Sequence, residues 1–242
     1  MKISQMVYRT RSWLFPGIVA LGFWAPLDRM GGQHPSSTWL VLAGVLAQHH
    51  LLPIEDASIA VAVAATLLAL AAAAISTWAA AFLRADIVRG SALQGGQIVA
   101  DGPYRYLRNP LYLGVELHVM ALAILMPPTG AAFAVVAMTA LLVVLIHAEE
   151  EHLTAEMGAV YLAYKRQVPR IFPALFARVE KSGACGRWGS ALLAEIYFWG
   201  VAVTYAALAW KYNAMLLVQG VLISFGVRLL VRARKEKDAA AS

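Results

Sequence analysis

The stretch Ala57-Ser-Ile-Ala-Val-Ala-Val-Ala-Ala-Thr-Leu-Leu-Ala-Leu-Ala-Ala-Ala-Ala-Ile-Ser-Thr-Trp-Ala-Ala-Ala-Phe-Leu83 carries no charge over 27 residues. As a helix it would rise about 40 Å, enough to cross a hydrocarbon core of about 30 Å with some tilt. Lipid offers no water to unpaired backbone groups, so such a run spans as a helix or as part of a closed barrel. The period-two alternation of a membrane barrel is absent. The Ala-rich middle permits close approach by neighbouring helices.

Working outward, the 242-residue chain is 60% hydrophobic and 14% charged, with a mean hydropathy of +0.64. A soluble domain is nearer half apolar and a quarter charged. Further apolar runs occupy 13–27, 39–52, 111–126, 131–147, 191–210 and 215–231. The expected fold class is all-α, a polytopic helical membrane protein with about six or seven membrane segments. The first two runs are short, and the first carries Pro16, Gly17, Gly22 and Pro26. They read as one broken or re-entrant unit, and no clean small-x-small cleavage site marks a signal peptide. A helix is expected over 149–168, where Leu153, Met157, Tyr161 and Tyr164 recur at helical spacing. The charged tail from Arg232 is expected to be disordered.

The net charge of +6 sits at the ends of the apolar runs. The 84–110 loop, the 150–190 loop and the tail are basic, which assigns them to the cytoplasm, with Glu55 and Asp56 opposite. Nucleic acid is not an expected partner, because no basic module with interleaved aromatics is present. The one cysteine, Cys185, excludes an intrachain disulfide and a Cys-based metal site. His49-His50 reads as an interfacial helix end, and no metal is expected.

The most specific run is Asp101-Gly-Pro-Tyr-Arg-Tyr-Leu-Arg-Asn-Pro-Leu-Tyr-Leu-Gly114. It begins as a turn, since Asp-Gly-Pro cannot continue a helix. It ends as a helix start, with Asn109 as N-cap and Pro110 at the first helical position. Free N–H groups at a helix start favour an anion, and Arg105 and Arg108 stand just before it. A carboxylate of a cofactor is the expected occupant; the plain alternative is a basic loop entering a membrane helix. About 35 residues on comes Glu149-Glu-Glu-His-Leu153. The intervening Pro127-Pro-Thr-Gly130 is a hairpin turn. Both ends of the hairpin then lie on one side of the membrane, with Asn109 and Tyr112 beside Glu149 and Glu150. Three glutamates at the end of a span oppose the helix dipole.

Together these motifs resemble the isoprenylcysteine carboxyl methyltransferases and their membrane relatives, the phospholipid N-methyltransferases and thiol methyltransferases. The resemblance rests on Gly102-Pro103-Tyr104, on Arg108-Asn109-Pro110-Leu111-Tyr112-Leu113-Gly114, on Glu149-Glu150-Glu151-His152-Leu153, on Met157-Gly158, on Tyr161 and Tyr164, and on Val168-Pro169-Arg170. Asn109 stands where His is usual, Met157 where Phe is usual, and Leu145 where some members carry a substrate-contacting arginine. The resemblance covers roughly residues 94–173 and implies an S-adenosylmethionine-dependent integral membrane methyltransferase, isoprenylcysteine carboxyl O-methyltransferase-like. The implied cofactor-binding residues are Gln97, Ile98, Val99, Tyr104, Arg108, Asn109, Pro110, Leu111, Tyr112, Gly114 and Glu149, with Gly96 beside the first three. Glu149 and Glu150 are the implied catalytic pair. The implied partner is a membrane lipid or lipid-like small-molecule substrate, met by a site facing the cytoplasm at the end of the hairpin. A phospholipid amine or a small hydrophobic thiol is the alternative acceptor.

The expected division is 1–93 for N-terminal membrane segments, 94–173 for the methyltransferase core, 174–232 for a C-terminal membrane hairpin and 233–242 for the tail. Two other classes share some of these features. Glu149-x-x-His152 is half of a di-iron pair, but the second half and further glutamates are missing. A transporter or assembly protein would carry mid-span charges, for which Glu116 and His118 are the candidates.

Overall fold

The computed structural model describes residues 3–24, 36–83, 93–94, 97–98, 100–181, 183–211 and 213–240. Apart from one two-residue strand pair, its regular structure is helical. The elements are α1 (Ile3–Trp24), α2 (Thr38–Gln48), α3 (Ile54–Phe82), α4 (Pro110–Ala123), α5 (Pro128–Met157), α6 (Ala159–Gln167), α7 (Trp188–Ala194), α8 (Ile196–Leu208) and α9 (Ala214–Ala240). A two-residue antiparallel pair, β1 (Leu93–Gln94) with β2 (Gln97–Ile98), lies between α3 and α4, and a 3-10 turn at Gly102–Arg105 follows it.

The uncharged run became the central helix. α3 packs against α2, α4, α7 and α8, and its alanines are the reason. Ala65, Ala69, Ala72 and Ala73 are fully buried, and their small side chains let the neighbouring backbones come close. Against the same helix, a Cβ on Gly114 of α4 would overlap the Ser76 side chain. Helices α8 and α9 close in the same manner, with Gly200 against Ser224 and Gly220 against Thr204.

The polypeptide runs between two ends of this bundle. The turn 124–127 joins α4 to α5 at one end. Gly22, near the end of α1, lies against Met126, Gly130 and Ala134 there. Thr38 at the start of α2 donates its backbone N–H to Met126 O at 2.8 Å. Trp39 Nε1 reaches the Ser58 carbonyl, near the start of α3, at 3.1 Å. The short α2 therefore stays at that end. The other end gathers the finish of α3, the start of α4, the finish of α5 and the start of α7, where Arg187 N–H bonds Ala81 O at 2.9 Å.

Among the described residues, three helices are long and apolar enough to cross a membrane, and a fourth if α7 and α8, bent by 70°, count as one span. Six or seven segments are not established by this count, because the apolar parts of α1, α2 and α4 are shorter. Three local expectations need correction. The helix expected over 149–168 is interrupted at Gly158, whose φ of 57° and ψ of −132° suit glycine alone. The 191–210 run is broken at Glu195 rather than continuous. The charged tail from Arg232 continues α9 to Ala240; Lys and Arg are good helix formers, and the helix extends through them.

Candidate active site

The Asp101–Gly114 run folds as its residues direct. Gly102 takes φ +56°, and a Cβ there would overlap the Phe82 ring, so only glycine serves the turn. Asp101 is buried and accepts from Gly183 N at 3.3 Å and Ala184 N at 3.1 Å. Pro110 opens α4 at its first position, as proline at N1 loses no hydrogen bond.

Segment 105–109 is then strapped to a strand-like stretch that follows α6. Arg108 N–H donates to Pro169 O at 2.9 Å, Ala174 N–H to Tyr106 O at 3.0 Å and Arg178 N–H to Arg105 O at 2.9 Å. The Arg105 side chain joins this strap, Nε to Val179 O at 3.0 Å. It is therefore committed to the strap rather than to an anion at the helix start.

The hairpin brings the two sequence motifs into contact. Tyr112 Oη donates to Glu149 Oε2 at 2.8 Å across 37 residues of sequence. The next residue, Glu150, is 2% exposed and sits among four donor side chains. Arg170 Nη2 reaches its Oε2 at 2.9 Å and Arg170 Nε its Oε1 at 3.3 Å. Lys165 Nζ lies 3.5 Å from Oε2, and Arg108 Nη1 lies 3.4 Å from Oε1. At that distance the Arg108 contact is a charge pair without hydrogen-bond geometry. Three cations thus surround one buried carboxylate, which leaves the cluster with net positive charge.

Asn109 corrects an expectation. Its side chain does not cap α4. Its Nδ2 instead donates to Arg170 O at 3.1 Å and Glu150 Oε1 at 3.4 Å. Its amide thus serves two acceptors of the cluster, the buried carboxylate and the Arg170 carbonyl, rather than the helix start. The first amides of α4 consequently keep their donors uncapped, with the partial positive charge of the helix start behind them.

Glu150, expected in the catalytic pair, has both oxygens engaged by cations and links Arg108 to Arg170. Glu149 differs: it is half-buried, and among the described residues its Oε1 has no partner while Oε2 holds Tyr112. Gly114 is likewise buried against Ser76, on the face of α4 that packs on α3. Leu111 and Pro110 remain at the helix start. Gln97 and Ile98 form β2 beside α6, while Gly96 and Val99 lie outside the described residues.

Behind Glu149 is a wall of phenols. Tyr161 and Tyr164 are buried with Ala100 and Val168, and Tyr104, Leu153 and Met157 pack on them. Tyr164 Oη donates to Tyr104 O at 2.7 Å. Burial raises the pKa of Tyr104, Tyr161 and Tyr164, and the Glu149 charge raises Tyr104 further. These phenols stay protonated at neutral pH and act as donors, not as bases. The buried Tyr104 Oη and Arg108 Nε have no hydrogen-bond partner among the described residues. Such orphaned donors beside an uncapped helix start fit an anionic or polar ligand group.

Sequence reasoning missed Lys165, Arg170 and His147. Val143 O can only accept, so His147 Nδ1 carries the proton at 2.7 Å, and Nε2 accepts from Arg170 Nη1 at 3.2 Å. The signal available was Val168-Pro169-Arg170, noticed as a motif but not as a set of charges facing Glu150. The half motif Glu149-x-x-His152 divides: Glu149 faces Tyr112, whereas His152 pairs with Glu156 at 3.2 Å on the exposed side.

Comparisons with known proteins bear on the same segment. Residues 59–159 match the phospholipid methyltransferase family. Methanethiol S-methyltransferase 2 of Bradyrhizobium diazoefficiens is 37% identical over 90 residues, which cover 37% of this chain and 34% of that protein. The chain thus spans about a third of the length of the curated relative it matches. No solved structure matches. With both motifs in contact at the end of an apolar hairpin, the matched segment is similar to integral membrane methyltransferases.

Proposed function

We propose that the protein transfers a methyl group from S-adenosylmethionine to a hydrophobic acceptor at the cytoplasmic face of a membrane. The observation that carries this reading is the Tyr112–Glu149 hydrogen bond, which joins the two motifs beside the orphaned Tyr104 and Arg108 donors. The donor set fits the cofactor's polar groups. Arg108 Nε and the start of α4 suit its carboxylate, Glu149 Oε1 its ammonium or ribose hydroxyls, and Tyr104 Oη a further acceptor. The cofactor supplies an electrophilic methyl on a sulfonium. The chain's own work is positioning: Glu150 and Asn109 fix Arg108 and Arg170, and the buried tyrosines exclude water from one wall of the site.

Among acceptors, the thiol reading gains from the relative's activity on methanethiol. The phospholipid amine gains from the family match. The isoprenylcysteine carboxylate, the leading expectation from sequence, loses support. Leu145, where an arginine would meet that substrate, is fully buried in the apolar core. The test is transfer of radiolabelled methyl from S-adenosylmethionine by purified protein to a small thiol, phosphatidylethanolamine and a prenylcysteine, side by side. Label appearing in one acceptor and absent with Glu149→Ala supports the reading. No label in any acceptor, with folded protein, refutes it.

A further inference from the structure

Between α6 and α7 the chain reads Ile171-Phe-Pro-Ala-Leu-Phe-Ala-Arg178. Its large apolar side chains turn away from the core: Phe172 is 84% exposed, Leu175 90% and Phe176 78%. The backbone beneath them is held, by Ala174 N–H to Tyr106 O and Arg178 N–H to Arg105 O. The segment lies at the level where the bundle helices end, since it is bonded to the residues that lead into α4. Beside it is a groove of about 430 Å³ lined by Arg108, Lys165, Arg166, Val168, Phe172 and Arg178. Lys165 and Arg108 share Glu150. Arg166 and Arg178 have no ion-pair partner among the described residues, and the exposed Glu180 is the acidic side chain nearest Arg178 in sequence.

The geometry points to this segment as an interfacial anchor: Phe172, Leu175 and Phe176 enter the headgroup–acyl boundary, and Arg166 and Arg178 hold the phosphate of an anionic lipid in the groove. Aromatic and aliphatic tips with basic flanks have the composition of membrane-surface elements. Charge complementarity selects the occupant. A second copy of the chain would bring one cationic rim against another, whereas an anionic leaflet satisfies the arginines and the apolar tip together. This inference does not rest on the methyl-transfer reading.

The test uses the full chain in lipid nanodiscs, with Cys185→Ser as background and a solvatochromic probe on Phe172→Cys or Leu175→Cys. Ala155→Cys, on an exposed position of α5, supplies the aqueous reference. The anchor predicts blue-shifted emission at 172 and 175, quenched by nitroxide-labelled lipid. It also predicts preferential quenching by headgroup-labelled phosphatidylglycerol over phosphatidylcholine. Arg166→Gln with Arg178→Gln should lower that preference by about 5- to 25-fold, from roughly 1 kcal/mol per basic residue near an anionic surface. Aqueous emission without quenching at both positions overturns the anchor. Quenching indifferent to lipid charge, or unchanged in the double variant, overturns the anionic-lipid assignment. A spectral shift that follows protein concentration in detergent assigns the patch to a second copy and overturns it as well.

Discussion

Replacing Glu150 by glutamine tests the charge cluster at its centre. The substitution keeps the volume and one carbonyl oxygen but removes the charge that Arg108, Arg170 and Lys165 share. Lys165 and Arg170 are partly exposed and can turn to water; the Arg108 side chain, 9% exposed, cannot. The effect is therefore dominated by Arg108, left as a buried cation. Removing one partner of a buried pair costs about 3–5 kcal/mol. The amide oxygen can still accept from Arg170, which retains about 1 kcal/mol. A net loss of about 2–4 kcal/mol corresponds to a fall of roughly 5–15 °C in melting temperature for a chain of this size. The assay is thermal unfolding of detergent-purified protein followed by tryptophan fluorescence at one fixed scan rate. Glu149→Gln, at a half-buried carboxylate holding a single hydrogen bond from Tyr112, should stay within about 4 °C of wild type, since such a bond is worth about 1 kcal/mol. Adding Arg108→Met to Glu150→Gln should recover part of the loss. A Glu150→Gln protein that melts with wild type would refute the buried-cluster reasoning. So would a Glu149→Gln protein that falls as far as Glu150→Gln.

Gly114→Ala forces a methyl into the Ser76 side chain, so it should lose about 1–3 kcal/mol in the same melt, and Ser76→Gly should rescue it. Gly158→Ala meets no neighbouring atom but must adopt φ +57°. Backbone strain of about 1–3 kcal/mol should lower the melting temperature, and a second mutation of a neighbouring side chain should not restore it. Tyr112→Phe removes only the hydroxyl that meets Glu149. Cofactor binding by calorimetry should weaken about 5- to 10-fold, the value of roughly one hydrogen bond, with the melt within a few degrees of wild type.

The bundle and the meeting of the two motifs were legible because they depend on local signals. An uncharged run of membrane length, a Pro-Pro turn and an Asn-Pro helix start each act through nearby residues. From them followed the contact of Tyr112 with Glu149. What stayed hidden depends on partners distant in sequence. Asn109 looks like a cap until Glu150, 41 residues away, claims its amide. Glu150 reads as one of a catalytic pair, and only the fold shows Arg108, Arg170 and Lys165 converging on it. Gly114 reads as part of a ligand motif, yet its hydrogen answers to Ser76 on another helix. The break at Gly158 was masked because Leu153, Met157, Tyr161 and Tyr164 keep helical spacing across it, and all four still pack together on the far side of the bend. The 70° bend at Glu195 has no proline to announce it.

The central claim is that the start of α4 and the end of α5 form one cofactor pocket. Calorimetric titration of S-adenosylhomocysteine into detergent-purified wild type and Glu149→Ala addresses it most directly. The account predicts saturable binding to wild type and its loss, or a weakening of at least about tenfold, in the variant, as expected for a charge-assisted contact worth roughly 1.5–3 kcal/mol. Absence of binding to folded wild type, or equal affinity in the two proteins, would contradict it.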